Sequence, residues 1–157
     1  MSTARTQVGI VAWAARARRA RALEMRLADT IGGWVGAVAD PQAQAVLARH
    51  ATHHAFHAEL WDGVVPVLHD VVVSDDPAVD TDLAAVVVAL GDRDDVAAGL
   101  RAAFADALPA LVAVYQHWAA STSVVADRPV MRVLDLVLRD EEFDLHEGEA
   151  MLRALAF

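Results

Sequence analysis

Four of the seven histidines fall within eight residues, in the run Arg49-His50-Ala51-Thr52-His53-His54-Ala55-Phe56-His57-Ala58-Glu59-Leu60-Trp61. At about 100° per residue, a helix through this run puts His50, His53 and His57 within about 40° of the line through Val46, Leu60 and Val64. His54 lies on the shoulder of that stripe and Glu59 points away from it. An imidazole on an apolar stripe must be hydrogen-bonded, ion-paired or bound to a metal, because burying a polar group without a partner is costly. Imidazole nitrogen is also a common ligand of iron, manganese and zinc.

Carboxylates stand at comparable places elsewhere in the chain. Toward the C-terminus, the helical projection puts Glu141 and Asp144 inside the arc of Leu134, Val137 and Gly148, with Glu142 on the flank and His146 projecting outward. Near the N-terminus, Glu24 lies about 40° from the centre of the stripe Ala20, Leu27, Ile31 and Trp34 and can reach inward. Glu24, His50, His53, His57, Glu141 and Asp144 are therefore six candidate metal ligands carried by three helices. The chain has no cysteine, so a metal would be held by nitrogen and oxygen alone, a donor set suited to iron, manganese or zinc. The same six side chains can instead form a metal-free network in which imidazolium pairs with Glu141 or Asp144. Ser121-Thr122-Ser123 lacks a glycine-flanked nucleophile turn, and no phosphate-binding glycine loop is present.

Helices must position these groups. Apolar residues recur at helical spacing over residues 3–34, through Leu23, Leu27, Ile31 and Trp34, and the end of that helix is weakened by Gly32, Gly33 and Gly36. Asp40-Pro41 supplies a cap and a first-turn proline for a second helix, which runs to residue 65 or 68 where Pro66 ends or kinks it. Ser74-Asp75-Asp76-Pro77 marks a long connection, in which Val71-Val72-Val73 could form a strand but has no partner. Asp80-Thr81-Asp82 caps a short helix that ends at Gly91. A third long helix, residues 92–122, carries Leu100, Phe104, Leu111, Val114, Tyr115 and Trp118 on one side and bends at Pro109; Tyr115 and Thr122 are its inward polar groups, whereas Asp106 and His117 project away. Asp127-Arg128-Pro129 opens the fourth, with the stripe Val130, Leu134, Val137, Leu145, Leu152 and Leu155. The reading is one all-α domain over residues 1–157, an antiparallel four-helix bundle with a long connection between the second and third helices.

This arrangement resembles the ferritin-like superfamily, whose first and third helices each give a Glu, and whose second and fourth each give a Glu-x-x-His, to a two-metal centre. On that resemblance Glu24 matches the first-helix carboxylate, His54 or His57 the second-helix histidine, and Glu141 the first residue of the fourth-helix motif. Three residues before His57 stands His54, and three before His53 stands His50, where the family has Glu; Asp144 stands where the fourth helix has His, and the third helix has no inward Glu. The resemblance implies one or two iron or manganese ions and oxidoreductase chemistry with oxygen or peroxide. The superfamily also includes iron stores and a tRNA hydroxylase. A non-catalytic binding or assembly module, with no metal, is the competing reading of the same residues.

Composition narrows the partners. The net charge is −9 and every basic residue is arginine, which disfavours nucleic acid and anionic lipid. Mean hydropathy is +0.32, much of it from alanine, and no unbroken apolar run approaches the roughly 18 residues of a membrane span. The apolar stretch 8–15 precedes most of the nearby arginines, the reverse of a secretory signal, so the cytoplasm is the expected compartment. Arg16, Arg18, Arg19, Arg21 and Arg26 spread around an outer, solvated face, and the four tryptophans read as packing residues. Ile10, Trp13 and Val35 exceed what one stripe of the first helix can bury, which predicts a homodimer; no particular small-molecule substrate is indicated.

Overall fold

The computed structural model describes residues 8–67, 69, 71–91, 95–123 and 127–155, and among them every regular element is helical. The helices are α1 (Ile10–Trp34), α2 (Pro41–Asp62), α3 (Ala84–Leu90), α4 (Val96–Ser121) and α5 (Arg128–Ala154). Residues 3, 68 and 92 lie outside the described residues, but two predicted ends are corrected by their neighbours: α1 begins at Ile10 after non-helical residues 8 and 9, and α2 stops at Asp62, capped by Gly63, before Pro66 instead of at residue 65 or 68. Val71-Val72-Val73 is irregular, so the strand considered for it does not form.

Local chemistry accounts for the ends. The Asp40 carboxylate accepts from the Ala43 amide at 2.7 Å with Pro41 behind it, and Asp95 accepts from Ala97 and Ala98. Asp80 accepts from the amides of Asp82 and Leu83 before α3. Gly91 ends α3 at φ 56°, in the left-handed region where a side chain is strained. Just before Pro109, where a bend is expected, the helix runs as a π-helical stretch, Ala102–Ala107. Its extra residue per turn relieves the clash of a proline ring with the preceding turn.

The buried faces follow alternating steps of four and three residues. On α1 the seam is Trp13, Ala17, Ala20, Glu24, Leu27, Ile31 and Trp34; on α2 it is Ala43, Leu47, His50, His54, His57 and Trp61; on α5 it is Val130, Leu134, Val137, Glu141, Asp144, Gly148 and Met151. Such spacing keeps one narrow seam against neighbouring helices. Two expectations change as a result. Val46 and Leu60 flank the α2 seam instead of defining it and Val64 lies beyond the helix end, while Leu145 and Leu152 flank the α5 seam and Leu155 is its C-terminal cap.

Neighbouring helices run in opposite directions. Between α1 and α2, Arg21 meets Asp62 at 3.0 Å while Gly32 faces Ala51. Between α2 and α5, Arg49 meets Glu147 while His57 meets Asp140. Between α4 and α5, Phe104 lies under Gly148 while Gln116 donates to Glu142. Between α1 and α4, Trp13 packs edge-on against Trp118 at 6.2 Å while Trp34 covers Gly99.

Two side chains read as surface groups have other work. Arg16 lies 5.2 Å over both Trp13 and Trp118, and Arg19 pairs with Asp80 at 3.1 Å, fastening the α2–α4 connection to α1. Trp118 Nε1 donates to Asp82 at 2.8 Å on the same segment. Trp13 is buried within its own chain, so of the three residues behind the dimer expectation only Ile10 is largely exposed. By length and composition α4 would suffice to cross a membrane, and half of its most apolar window is buried; Phe104, Leu111, Tyr115 and Trp118 of this helix are all core residues.

Candidate metal centre

The polar residues of three seams meet at one level. Glu24 of α1, His54 and His57 of α2 and Glu141 of α5 are fully buried, and one donor atom from each lies within 4.8 Å of all the others. His54 Nδ1 is 2.7 Å from Glu24 Oε2 and 3.2 Å from Glu141 Oε1. His57 Nδ1 is 3.2 Å from the same Glu141 oxygen and 3.6 Å from the same Glu24 oxygen. Both imidazoles thus aim the same nitrogen at the same two oxygens.

Surrounding groups fix this quartet. Tyr115 of α4 donates its hydroxyl proton to Glu24 Oε1 at 2.6 Å. Asp140 Oδ2 lies 3.3 Å from His57 Nε2, the position from which an outer carboxylate orients a ligating imidazole. Trp61, Tyr115 and Trp118 pack with ring centroids 5.5 to 6.1 Å apart and wall the site on one side.

Electrostatically the quartet balances two imidazoles against two carboxylates. Burial opposes charge on His54, but the charges and hydrogen bonds of Glu141 and Glu24 outweigh it and raise its pKa to about 10. Burial likewise opposes charge on His57, and hydrogen bonds and charges from the same two carboxylates raise it to about 11. Burial would raise Glu141, yet the charge and hydrogen bond of His54, with help from His57, lower it to about 2. Glu24 is lowered as well: hydrogen bonds from His54 and His57 overcome burial and the Glu141 charge. The Tyr115 hydroxyl is pushed up by burial and by the Glu24 charge, so it stays a donor.

The donor set could hold a small divalent cation. Bond lengths of about 2.0–2.2 Å in tetrahedral geometry place adjacent ligand atoms roughly 3.3–3.6 Å apart; the four imidazole–carboxylate separations here run from 2.7 to 3.6 Å, and all four atoms lie within 4.8 Å of one another. Glu141 Oε2 and His54 Nε2 are buried without a hydrogen-bond partner, an arrangement that costs free energy in a protein interior.

Of the six candidate ligands, Glu24, His57 and Glu141 join the quartet; His50 and Asp144 lie farther along the same seams. His53 is displaced outward: its side chain is 29% exposed and it meets Asp144 at 2.9 Å. His54 takes its place in the core, because the α2 seam passes through Leu47 and Trp61. Glu142 and His146 are exposed as expected. Asp140 and Glu147, unmarked in the sequence reading, gain significance only from α2 lying opposite them. No protein-family model, curated protein or solved structure matches the chain.

Proposed function

We propose that this chain is a ferritin-like antiparallel four-helix bundle whose core quartet holds one iron or manganese ion and serves oxidoreductase chemistry. The bundle reading is supported by the pairings between helices: α2 and α4 each run opposite to α5, so they are parallel and the α2–α4 connection must return along the bundle, as a crossover does. The metal reading rests above all on the convergence of two imidazole nitrogens and two carboxylate oxygens within 4.8 Å in a buried seam.

Glu24 Oε2, Glu141 Oε1, His54 Nδ1 and His57 Nδ1 would be the ligands. A bound first-row ion would supply Lewis acidity and electron transfer. Asp140 would hold the His57 ring, and Tyr115 would hold Glu24 through Oε1 so that Oε2 stays turned inward. With two carboxylates and neutral imidazoles a divalent ion leaves the quartet with no net charge, which suits a buried site.

The 2.7 Å contact between His54 and Glu24 favours a second reading, since that is the length of a charge-assisted hydrogen bond. In it the quartet is a structural network of two imidazoliums and two carboxylates, and the protein is a binding or assembly module. Elemental analysis of tag-free protein, followed by iron(II) titration in air, separates the two. One tightly bound ion per chain with a spectral change is expected; negligible metal with no spectral change overturns the metalloprotein reading.

A further inference from the structure

One helical turn outward from the quartet, a second set of donors converges. His50 Nε2 is 3.4 Å from Asp144 Oδ1 and 3.4 Å from Glu147 Oε2, and the donor atoms of the three residues lie within 4.8 Å of one another. The His50 and Asp144 side chains are fully buried, whereas Glu147 is 25% exposed. The steps from His54 to His50 and from Glu141 to Asp144 correspond to about 5 Å along the helices. This is therefore a separate position, closer to solvent.

These distances match ligation better than hydrogen bonding. A hydrogen bond between imidazolium and carboxylate closes to about 2.7–2.9 Å; here both contacts stay at 3.4 Å, the spacing of adjacent ligands around one ion with bonds of about 2.0–2.2 Å. His50 Nδ1 is buried with no hydrogen-bond partner, so no outer acceptor of the kind Asp140 offers His57 holds this ring, and it is held instead from one side by Phe104 at 5.4 Å. The ring is thus oriented by packing, with Nε2 facing the two carboxylates.

The most exposed of the three donors, Glu147, also forms part of the wall of a cavity of about 340 Å³ between the start of α2 and the end of α5, lined by Asp40, Gln42, Val46, Met151 and Leu155. Arg49 stands at the same place, its Nε and Nη2 at 3.2 and 2.5 Å from Glu147 Oε2. Its guanidinium already holds a positive charge beside these carboxylates and competes with any cation that enters. His53, 2.9 Å from Asp144 Oδ2, is a further nitrogen at the edge of the set.

We propose that His50, Asp144 and Glu147 form a second, solvent-exchanging site for a first-row divalent cation, with Arg49 as its built-in competitor. The site stands on its own residues and does not require the quartet to be loaded.

Manganese(II) titration of chelator-stripped, tag-free full chain tests this, with the free ion counted by electron paramagnetic resonance. The wild type binds two ions per chain, one weaker and faster-exchanging. Glu147→Gln, a partly exposed substitution, weakens that second ion by at least the roughly 10- to 100-fold that loss of a mere outer partner costs at metal sites, and leaves the first unchanged. Arg49→Gln tightens the second ion by removing the competing charge. One ion in the wild type that Glu147→Gln leaves in place overturns this proposal and spares the quartet. One ion that Glu147→Gln abolishes overturns the quartet reading and spares this one. A second ion insensitive to both substitutions also overturns the proposal.

Discussion

Glu24→Gln is the most informative single change, because the substitution keeps size and shape while removing one of two buried negative charges. In the metal-free protein Glu24 accepts from His54 at 2.7 Å and from Tyr115 at 2.6 Å, and its inner oxygen is 3.6 Å from His57. With both imidazoles charged, Glu141 alone would face two positive rings at zero solvent exposure. Breaking a buried ion pair from one side costs about 3–5 kcal/mol. The amide oxygen introduced at position 24 can still accept from Tyr115, retaining a neutral bond of roughly 1 kcal/mol, so the lower end, about 3 kcal/mol, is expected. For a domain of this length each kcal/mol moves Tm by about 2–4 °C, which gives a fall of roughly 6–12 °C. Thermal and urea unfolding followed by circular dichroism, in chelator near pH 6.5, measures it. A loss under about 1 kcal/mol would mean that paired charge does not hold the quartet together, and would refute the electrostatic account.

The pH dependence of the chelated protein follows from the same groups. The raised pKa values of His54 and His57, about 10 and 11, contribute stability that is complete below the unfolded value of about 6.5 and is lost as pH rises through the folded values. The lowered pKa of Glu141, about 2, contributes stability present above the usual carboxylate range and lost as pH falls through the folded value, so melting curves in chelator should peak near pH 5–6.5. Metal binding should behave oppositely: one divalent ion displaces two imidazole protons, so its apparent affinity rises by up to about 100-fold per pH unit below both values. Proton release on manganese(II) addition, read with an indicator dye, checks this stoichiometry. Gly148→Ala would drive a Cβ into the Phe104 ring; overpacking of about 1–3 kcal/mol, offset by up to about 1 kcal/mol of helix propensity, should leave a net loss measurable by urea unfolding.

Much of the local structure was legible because its causes are local. Asp40-Pro41 and Gly91 end or begin helices wherever the chain carries them, and helical spacing marks the apolar faces. Glu24, His57, Glu141, Tyr115 and the outward Glu142 and His146 were placed correctly from projection alone. The exchange of His53 for His54 has a definite origin. Val46, Leu60 and Val64 line up with three of the four histidines, yet Val64 lies beyond the end of α2, and the four-three rhythm through Leu47 and Trp61 carries the true seam and contains His54. The four- and three-residue steps from Ala43 to Trp61 were available in the sequence and would have found it.

Asp140 and Glu147 had no such signal. Each sits at the border of the α5 seam, and each acquires a role only because His57 or Arg49 with His50 stands opposite. The sequence by itself determined that this chain is helical and that imidazoles and carboxylates lie within its apolar seams, because periodicity and caps act within a few residues. Which of those groups share a site was decided only by the tertiary structure. That choice depends on the axial offset and rotation of α1, α2 and α5 against one another, and packing such as Phe104 beneath Gly148 and Trp13 against Trp118 sets them across the whole fold.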